Sequence, residues 1–133
     1  MVTCQRTDGA MHDSFEARII MPWPKKALWQ NARVHWAQRA HAVKSYRDVA
    51  YRLALHANLH KHPDPAPMLM FSFHPPDNRR RDLHNMMATQ KAAIDGIADA
   101  MRVDDRLFLC NWPMTWGEVI KGGAVYITVR VKA

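Results

Sequence analysis

The sequence contains few of the residues and segments that mark several common classes of protein. Its two cysteines, Cys4 and Cys110, form no CxxC pair, so we expect neither a disulfide framework nor a zinc site, and we expect a reducing, cytoplasmic location. The five glycines are scattered, which excludes a glycine-rich phosphate-binding loop. No apolar run approaches about 18 residues, so no membrane span or membrane partner is expected.

Acidic residues are also scarce. The chain of 133 residues has 12 Asp and Glu against 19 Lys and Arg, a formal net charge of +7. Such a basic domain favours a polyanionic partner, most often nucleic acid, although the excess charge can also serve solubility alone. The length and the 48% apolar content indicate one globular domain. Residues 1–14 mix charges without an apolar core, so we interpret them as a flexible tail rather than a signal peptide, and residues 15–133 as the domain.

The charge is distributed unevenly along the chain. Residues 15–60 have a net charge of +6, whereas residues 75–106 are neutral and hold half of all the acidic residues. Carboxylates gathered inside a basic protein are expected where metal ions are held against a phosphodiester. The alternative is an exposed helix face with ion pairs, which would account for some of the six. These six are Asp77, Asp82, Asp95, Asp99, Asp104 and Asp105.

Hydrophobic periodicity predicts a single α+β domain with the element order β-α-β-α-β-β. The predicted strands are residues 15–21, 68–73, 107–112 and 124–131, and the predicted helices are residues 35–58 and 86–101. On the first helix, Trp36 and Val43 belong to the predicted apolar side, and most tryptophans are expected in the core. Trp29 lies in a basic loop and is therefore the tryptophan that we would test against DNA.

The segment 77–85 concentrates side chains suited to phosphodiester chemistry. If the chain is extended or looped there, residues two apart point the same way, so Asp82 and His84 can share a metal ion. The guanidinium forks of Arg79, Arg80 and Arg81 match the geometry of phosphate groups.

Further candidates follow at a distance along the chain. Lys91 lies near the start of the second predicted helix, and Asp104 and Asp105 follow its far end. That helix is about 24 Å long, so only the fold can bring these residues to Asp82. Asp95 is four residues after Lys91, which favours an ion pair with Lys91 or a supporting role.

These residues resemble the RusA-like Holliday-junction resolvases of phages and prophages. The similarity runs from about Phe15 to Val131, with Pro22-Trp-Pro24 and His35-Trp36 similar to the family's opening and first helix. Its specific part is a series of three motifs: the Arg-rich loop ending in Asp-Leu-His-Asn85, Gln90-Lys-Ala-Ala-Ile-Asp-Gly96 and Val103-Asp-Asp-Arg106. The resemblance implies a two-fold homodimer that binds four-way DNA junctions and resolves them by paired nicks, using a divalent metal, Mg²⁺ or Mn²⁺.

Carried over by position, the resemblance implies particular roles. The expected catalytic residues are Asp82, His84, Lys91 and Asp105, and the expected metal ligands are Asp82, His84, Asp105 and the neighbouring Asp104. Backbone contacts to DNA are expected from Lys25, Lys26, Arg33, Arg79, Arg80 and Arg81.

Two departures from the family pattern affect this expectation. His84 stands where the family has its second Asp, and about three extra residues precede Lys91. Because imidazole suits softer metals than Mg²⁺, we hypothesise a site that favours Mn²⁺. The alternatives are a degraded site that binds junctions without cutting them, and a metallonuclease that acts on other branched DNA.

Overall fold

Alternating apolar residues build a single sheet that is covered by helices. The computed structural model describes residues 2–8, 13–109 and 113–132. Its strands are β1 (Val2–Asp8), β2 (Asp13–Pro22), β3 (Met68–His74), β4 (Met114–Trp116) and β5 (Ala124–Lys132). They form a mixed sheet in the order β1-β2-β5-β3-β4, in which β3 and β4 run parallel and the other neighbours antiparallel.

The helices connect these strands. They are α1 (Trp36–His56), α2 (Leu83–Ala88) and α3 (Lys91–Met101), with 3₁₀ turns at Lys26–Leu28, Leu59–Lys61 and Asp105–Leu109. Every second residue of the central strands is buried, so one face of the sheet carries the core. These core residues are Ala17, Ile19 and Met21 of β2, Leu69, Phe71 and Phe73 of β3, and Val125, Ile127, Val129 and Val131 of β5.

Gly96 sets the close approach of α1 and α3. A Cβ atom at this position would overlap the Arg47 carbonyl oxygen and lie 3.0 Å from the Tyr51 nitrogen. A glycine in a helix costs about 1 kcal/mol relative to alanine. Here its lack of a side chain lets the two helix backbones touch, which brings the side chains of α1 and α3 beside one another.

The prediction of one α+β domain is confirmed, and several of its details change. Residues 107–112 were predicted as a strand, which is wrong for the described part: a 3₁₀ turn runs to Leu109, and strand β4 begins only at Met114. Residues 110–112 lie outside the described residues. The helix predicted at 86–101 is two helices, because the chain turns at Thr89 and Gln90. Val2–Asp8, which we assigned to a tail, pairs with β2 as strand β1.

The buried side of α1 also differs from the prediction. Trp36 is 76% exposed and Val43 is exposed as well, whereas Tyr46, Ala50 and Ala54 are buried. The apolar stripe that reaches the core is therefore confined to the second half of the helix.

Within the described residues, no helix combines the length and apolar character needed to cross a membrane.

Candidate active site

Asp82 begins helix α2 rather than continuing an extended loop. Its Oδ1 accepts hydrogen bonds from the backbone N–H of His84 at 2.7 Å and of Asn85 at 3.2 Å, the geometry of an N-cap. His84 therefore lies in the first turn of a helix, so the extended geometry predicted for residues 82–84 was wrong. The two side chains still come near each other, with Nδ1 of His84 3.8 Å from Oδ1 of Asp82. Both are open to solvent, 93% exposed for His84 and 59% for Asp82.

The arginines before Asp82 divide into two kinds. Arg81 is only 14% exposed and is fixed by Asp77, whose Oδ1 lies 2.6 Å from Nη2 and whose carbonyl oxygen accepts from Nη1. Arg79 also binds Asp77, through its backbone N–H and its guanidinium. These hydrogen bonds, that from the Arg79 N–H first, lower the pKa of Asp77. Arg80 is exposed and makes no ion pair within the described residues, so it is the arginine of the three left open to a phosphate.

Lys91, Asp95 and Asp105 come together beside α3. Lys91 Nζ lies 2.9 Å from Asp95 Oδ1, one helical turn further along α3, and also binds the carboxylate of Asp105. The chain reaches Asp105 because Arg102 ends α3 in the left-handed conformation, with φ of 58°, and turns the following residues back. We call Lys91, Asp95 and Asp105 the lysine–aspartate cluster.

The pKa shifts in this cluster follow from its geometry. The hydrogen bond from Lys91 lowers the pKa of Asp105, and Asp95 also contributes. Burial raises the pKa of Asp95, assisted by a hydrogen bond with Asp105. The pKa of Lys91 is raised, mainly by Asp105. The carboxyl groups of Asp95 and Asp105 thus lie beside the same ammonium group, and the positive charge of Lys91 offsets their repulsion.

Helix α1 adds a second cation beside the cluster. Arg47 Nε donates to Asp99 Oδ2 at 2.7 Å, which links α1 to α3 next to Gly96. That hydrogen bond raises the pKa of Arg47, and the carboxylates of Asp95 and Asp105 contribute from nearby. The carboxylates of the cluster, on and beside α3, therefore interact electrostatically with Arg47 on α1.

The remaining predicted residues are placed apart from the cluster. Asp104 turns its carboxylate to Arg106, accepting from the backbone N–H and pairing with the guanidinium at 2.9 Å. Within the described parts of the chain, no three His, Cys, Asp or Glu side chains are arranged to hold a metal ion. The predicted ligands therefore form a contact between Asp82 and His84 and, through Lys91, a second group around Asp105. Lys25, Lys26 and Arg33 are exposed, as a role in DNA binding requires.

The comparisons with known proteins give a relative but no function. No family model matches the chain. An "uncharacterized protein" of Xylella fastidiosa (strain Temecula1 / ATCC 700964) is 41% identical over 114 residues, which span 84% of this chain and 74% of that protein. The chain belongs to the family of this Xylella protein. The OmpA-like domain of FopA1 from Francisella tularensis subsp. tularensis SCHU S4 aligns over 99% of this chain and 84% of its own, at 12% identity and a TM-score of 0.32. A TM-score this low carries no argument.

A buried polar network next to Lys91 was missed in the sequence. The side-chain amide of Gln90, which is fully buried, donates to the hydroxyl groups of Tyr46 and Thr89, and Tyr46 in turn donates to the Pro22 carbonyl at 2.7 Å. Burial raises the pKa of Tyr46, so it stays a donor. This chain of bonds fixes Gln90, the residue just before α3, to α1 and to the end of β2. No periodicity signals it, because Tyr46 and Gln90 are 44 residues apart.

Proposed function

We propose that this protein is a metal-dependent endodeoxyribonuclease of the RusA-like type, which resolves four-way DNA junctions as a homodimer. The observation that supports this best is the contact of Lys91 with Asp105. These residues are 14 positions apart and were assigned to one active site from the motifs alone. Because the two residues are 14 positions apart, the fold and not the spacing along one helix face brings them together, which agrees with a common role.

The donor set suits a hard divalent cation. Mg²⁺ is commonly bound by one or two carboxylates, with water and substrate phosphate oxygens as the other ligands. Asp95 and Asp105 supply two carboxyl groups that both contact the Lys91 ammonium, an arrangement that favours a cation between them. Asp82 and His84 would complete the site from the start of α2. When bound, the metal would supply Lewis acidity toward the phosphate and a more acidic water.

The residues of the chain would perform the other tasks. Asp105 and Asp95 would hold the cation, and the Lys91 ammonium beside them would stabilise negative charge that develops on a phosphate. Arg80, together with Lys25 and Lys26, would bind the DNA backbone without reading its sequence. A two-fold dimer would match the symmetry of a four-way junction and present one site to each of two opposed strands.

The experiment is a cleavage assay on a labelled four-way junction, with a duplex control, in Mg²⁺, Mn²⁺ or EDTA. The wild-type protein should give symmetric nicks that need a metal, with the higher rate in Mn²⁺. Asp105→Asn and Asp82→Asn should each reduce the cleavage rate by roughly 100-fold or more while junction binding persists. Asn caps a helix about as well as Asp, so Asp82→Asn tests the charge and leaves the cap in place.

Asp48→Asn is the matched control, because Asp48 is an exposed carboxylate on α1 whose partner is Arg52, away from the cluster. It should cut at the wild-type rate. Cleavage without a metal, or a wild-type cleavage rate for Asp105→Asn, would contradict the proposed active site.

A second candidate function is junction binding without cleavage. Two observations favour it: Asp82 already serves as a helix cap, and no three-ligand metal group forms within the described residues. The same assay decides between the two, since a binder of this kind shifts the junction in EDTA and leaves it intact in Mg²⁺ and Mn²⁺. Efficient cutting of flaps or plain duplex would instead indicate a nuclease for other substrates.

A further inference from the structure

The first half of α1 contributes no fully buried residue to the core. None of the residues 36–45 is buried, whereas Tyr46, Ala50 and Ala54 anchor the second half. We call residues 36–45 the arm. Ten residues of helix extend for about 15 Å. Ala42 packs against the core, and most of the remaining surface of the arm is open to another molecule.

The arm is held in a fixed direction. The guanidinium of Arg39 donates to the carbonyl oxygens of Trp29 at 3.2 Å and Ala32 at 2.7 Å, which ties the preceding loop to the helix. The ring nitrogen Nδ1 of His35 accepts from the backbone N–H of Ala37 and caps the helix. Arg39 therefore has a structural role, because its hydrogen bonds fix the arm to the loop before α1.

Trp36 is the largest apolar side chain that the arm exposes. It is 76% exposed, and its ring contact is with His35, at 5.5 Å between centroids. Trp29, which the sequence favoured as a DNA contact, is half-buried instead, bonded to the Pro24 carbonyl and packed near Trp23. Of the two, Trp36 is the tryptophan that offers a free aromatic face.

The charge around Trp36 selects a polyanion as the occupant. Between Glu16 and Asp48 the chain has no acidic residue, and Lys44 within the arm is exposed without an ion pair among the described residues. The acid-free stretch contains the bases Arg18, Lys25, Lys26, Arg33, Arg39, Lys44 and Arg47. Two copies of the arm packed together would bring like charges into contact, so a second copy of this chain is disfavoured.

The arm also leads to the candidate active site. Residues 36, 40, 43 and 47 share one helix face, and Arg47 at its end bonds Asp99 beside the lysine–aspartate cluster. The distance from Trp36 to Arg47 along the helix is about 16 Å. A DNA strand bound at the cluster can therefore continue along this face.

We propose that the arm is a DNA-binding element that recognises unpaired bases, with Trp36 stacking on an exposed base and Lys44 contacting the backbone. Base–aromatic stacking and a basic track are the combination with which proteins bind single-stranded DNA. The inference takes DNA as its polyanion from the proposed function, but it does not require that the protein cuts.

The test measures binding in EDTA by fluorescence anisotropy, with a labelled single strand, a duplex and a four-way junction over a range of salt concentrations. Trp36→Ala should weaken binding of the single strand and of the junction by about tenfold, with little effect on the duplex, while Trp36→Phe restores most of the affinity. Lys44→Ala should weaken binding of all three and reduce the salt dependence by about one counterion on the duplex.

The controls are Met68→Ala, an exposed large apolar residue at the start of β3 and outside the arm, and Lys61→Ala, an exposed lysine beyond α1. Both should bind like the wild type. An unchanged affinity of Trp36→Ala for single strand and junction overturns the proposal, and so does an equal loss on all three DNAs. Dissociation of a dimer by Trp36→Ala would assign the arm to a second copy and overturn it as well. If binding behaves as expected but the wild type never cuts, only the nuclease proposal fails.

Discussion

The Arg-rich segment and the lysine–aspartate cluster have similar charged residues, yet they use them differently. From Asp77 to His84 the charged groups other than Arg80 are paired locally: Arg81 and Arg79 bind Asp77, and Asp82 caps helix α2. In the cluster, Lys91 meets Asp105, which lies 14 positions later in the chain and is brought back to it by the turn at Arg102. The difference shows that a dense motif can be a well-bonded loop, whereas a convergence of distant residues carries more information about a site.

The largest effect on this comparison is expected from Gly96→Ala. A Cβ atom would overlap the Arg47 carbonyl and separate α1 from α3, and this clash outweighs the gain in helix propensity. We expect the free energy of unfolding to fall by about 2 kcal/mol in urea denaturation.

Gly96→Ala should also affect the lysine–aspartate cluster and leave the Arg-rich segment unchanged. Amide chemical shifts should change around Arg47, Lys91 and Asp105 and remain unchanged from Asp77 to Arg81. A gain in stability of about 1 kcal/mol would mean that the helices do not touch at Gly96.

A smaller effect is expected from the cap at Asp82. Asp82→Ala removes the acceptor of two backbone N–H groups and should cost about 1 kcal/mol of unfolding free energy, while Asp82→Asn should cost only a few tenths. The comparison variant is Asp48→Ala, which loses one exposed ion pair worth about 0.3–0.5 kcal/mol. If Asp82→Asn were as destabilising as Asp82→Ala, the contribution of Asp82 would be its charge and not its cap.

The smallest effect is a pH dependence within the Arg-rich segment. The folded pKa of Asp77 is lower than its unfolded value, so its stabilisation is present above about pH 4 and is lost as the pH falls through the folded pKa. Arg81→Gln should raise the pKa of Asp77 part of the way back, since the larger contribution, from the Arg79 N–H, remains. Carboxyl ¹³C NMR titration measures this shift. Arg80→Gln is the control, and an equal shift there would contradict the assignment to Arg81.

Much of the fold could be predicted because its signals are local. A short apolar run located β3 and alternation located β5, each to within a residue or two, and the spacing of apolar residues located α1. The prediction of a strand at residues 107–112 was wrong for residues 107–109. Its apolar run was short, and these residues belong to the 3₁₀ turn that follows α3. Ala50 and Ala54, predicted on the same side of α1 as Trp36 and Val43, are buried, but Trp36 and Val43 are exposed, because a repeat of threes and fours shows which residues share a face and not how far along the helix the core extends.

The sequence by itself determined the α+β class, the basic N-terminal third and the neutral segment at residues 75–106 that holds half of the acidic residues, since composition and periodicity are properties of the chain. Only the tertiary structure decided which charges meet. Gly96 lets α1 approach α3, and the turn at Arg102 returns Asp105 to Lys91. Such contacts depend on backbone paths over tens of residues, and no local pattern encodes them. The exposure of Trp36 has the same origin, because burial is decided by what packs against a side chain and not by the side chain alone.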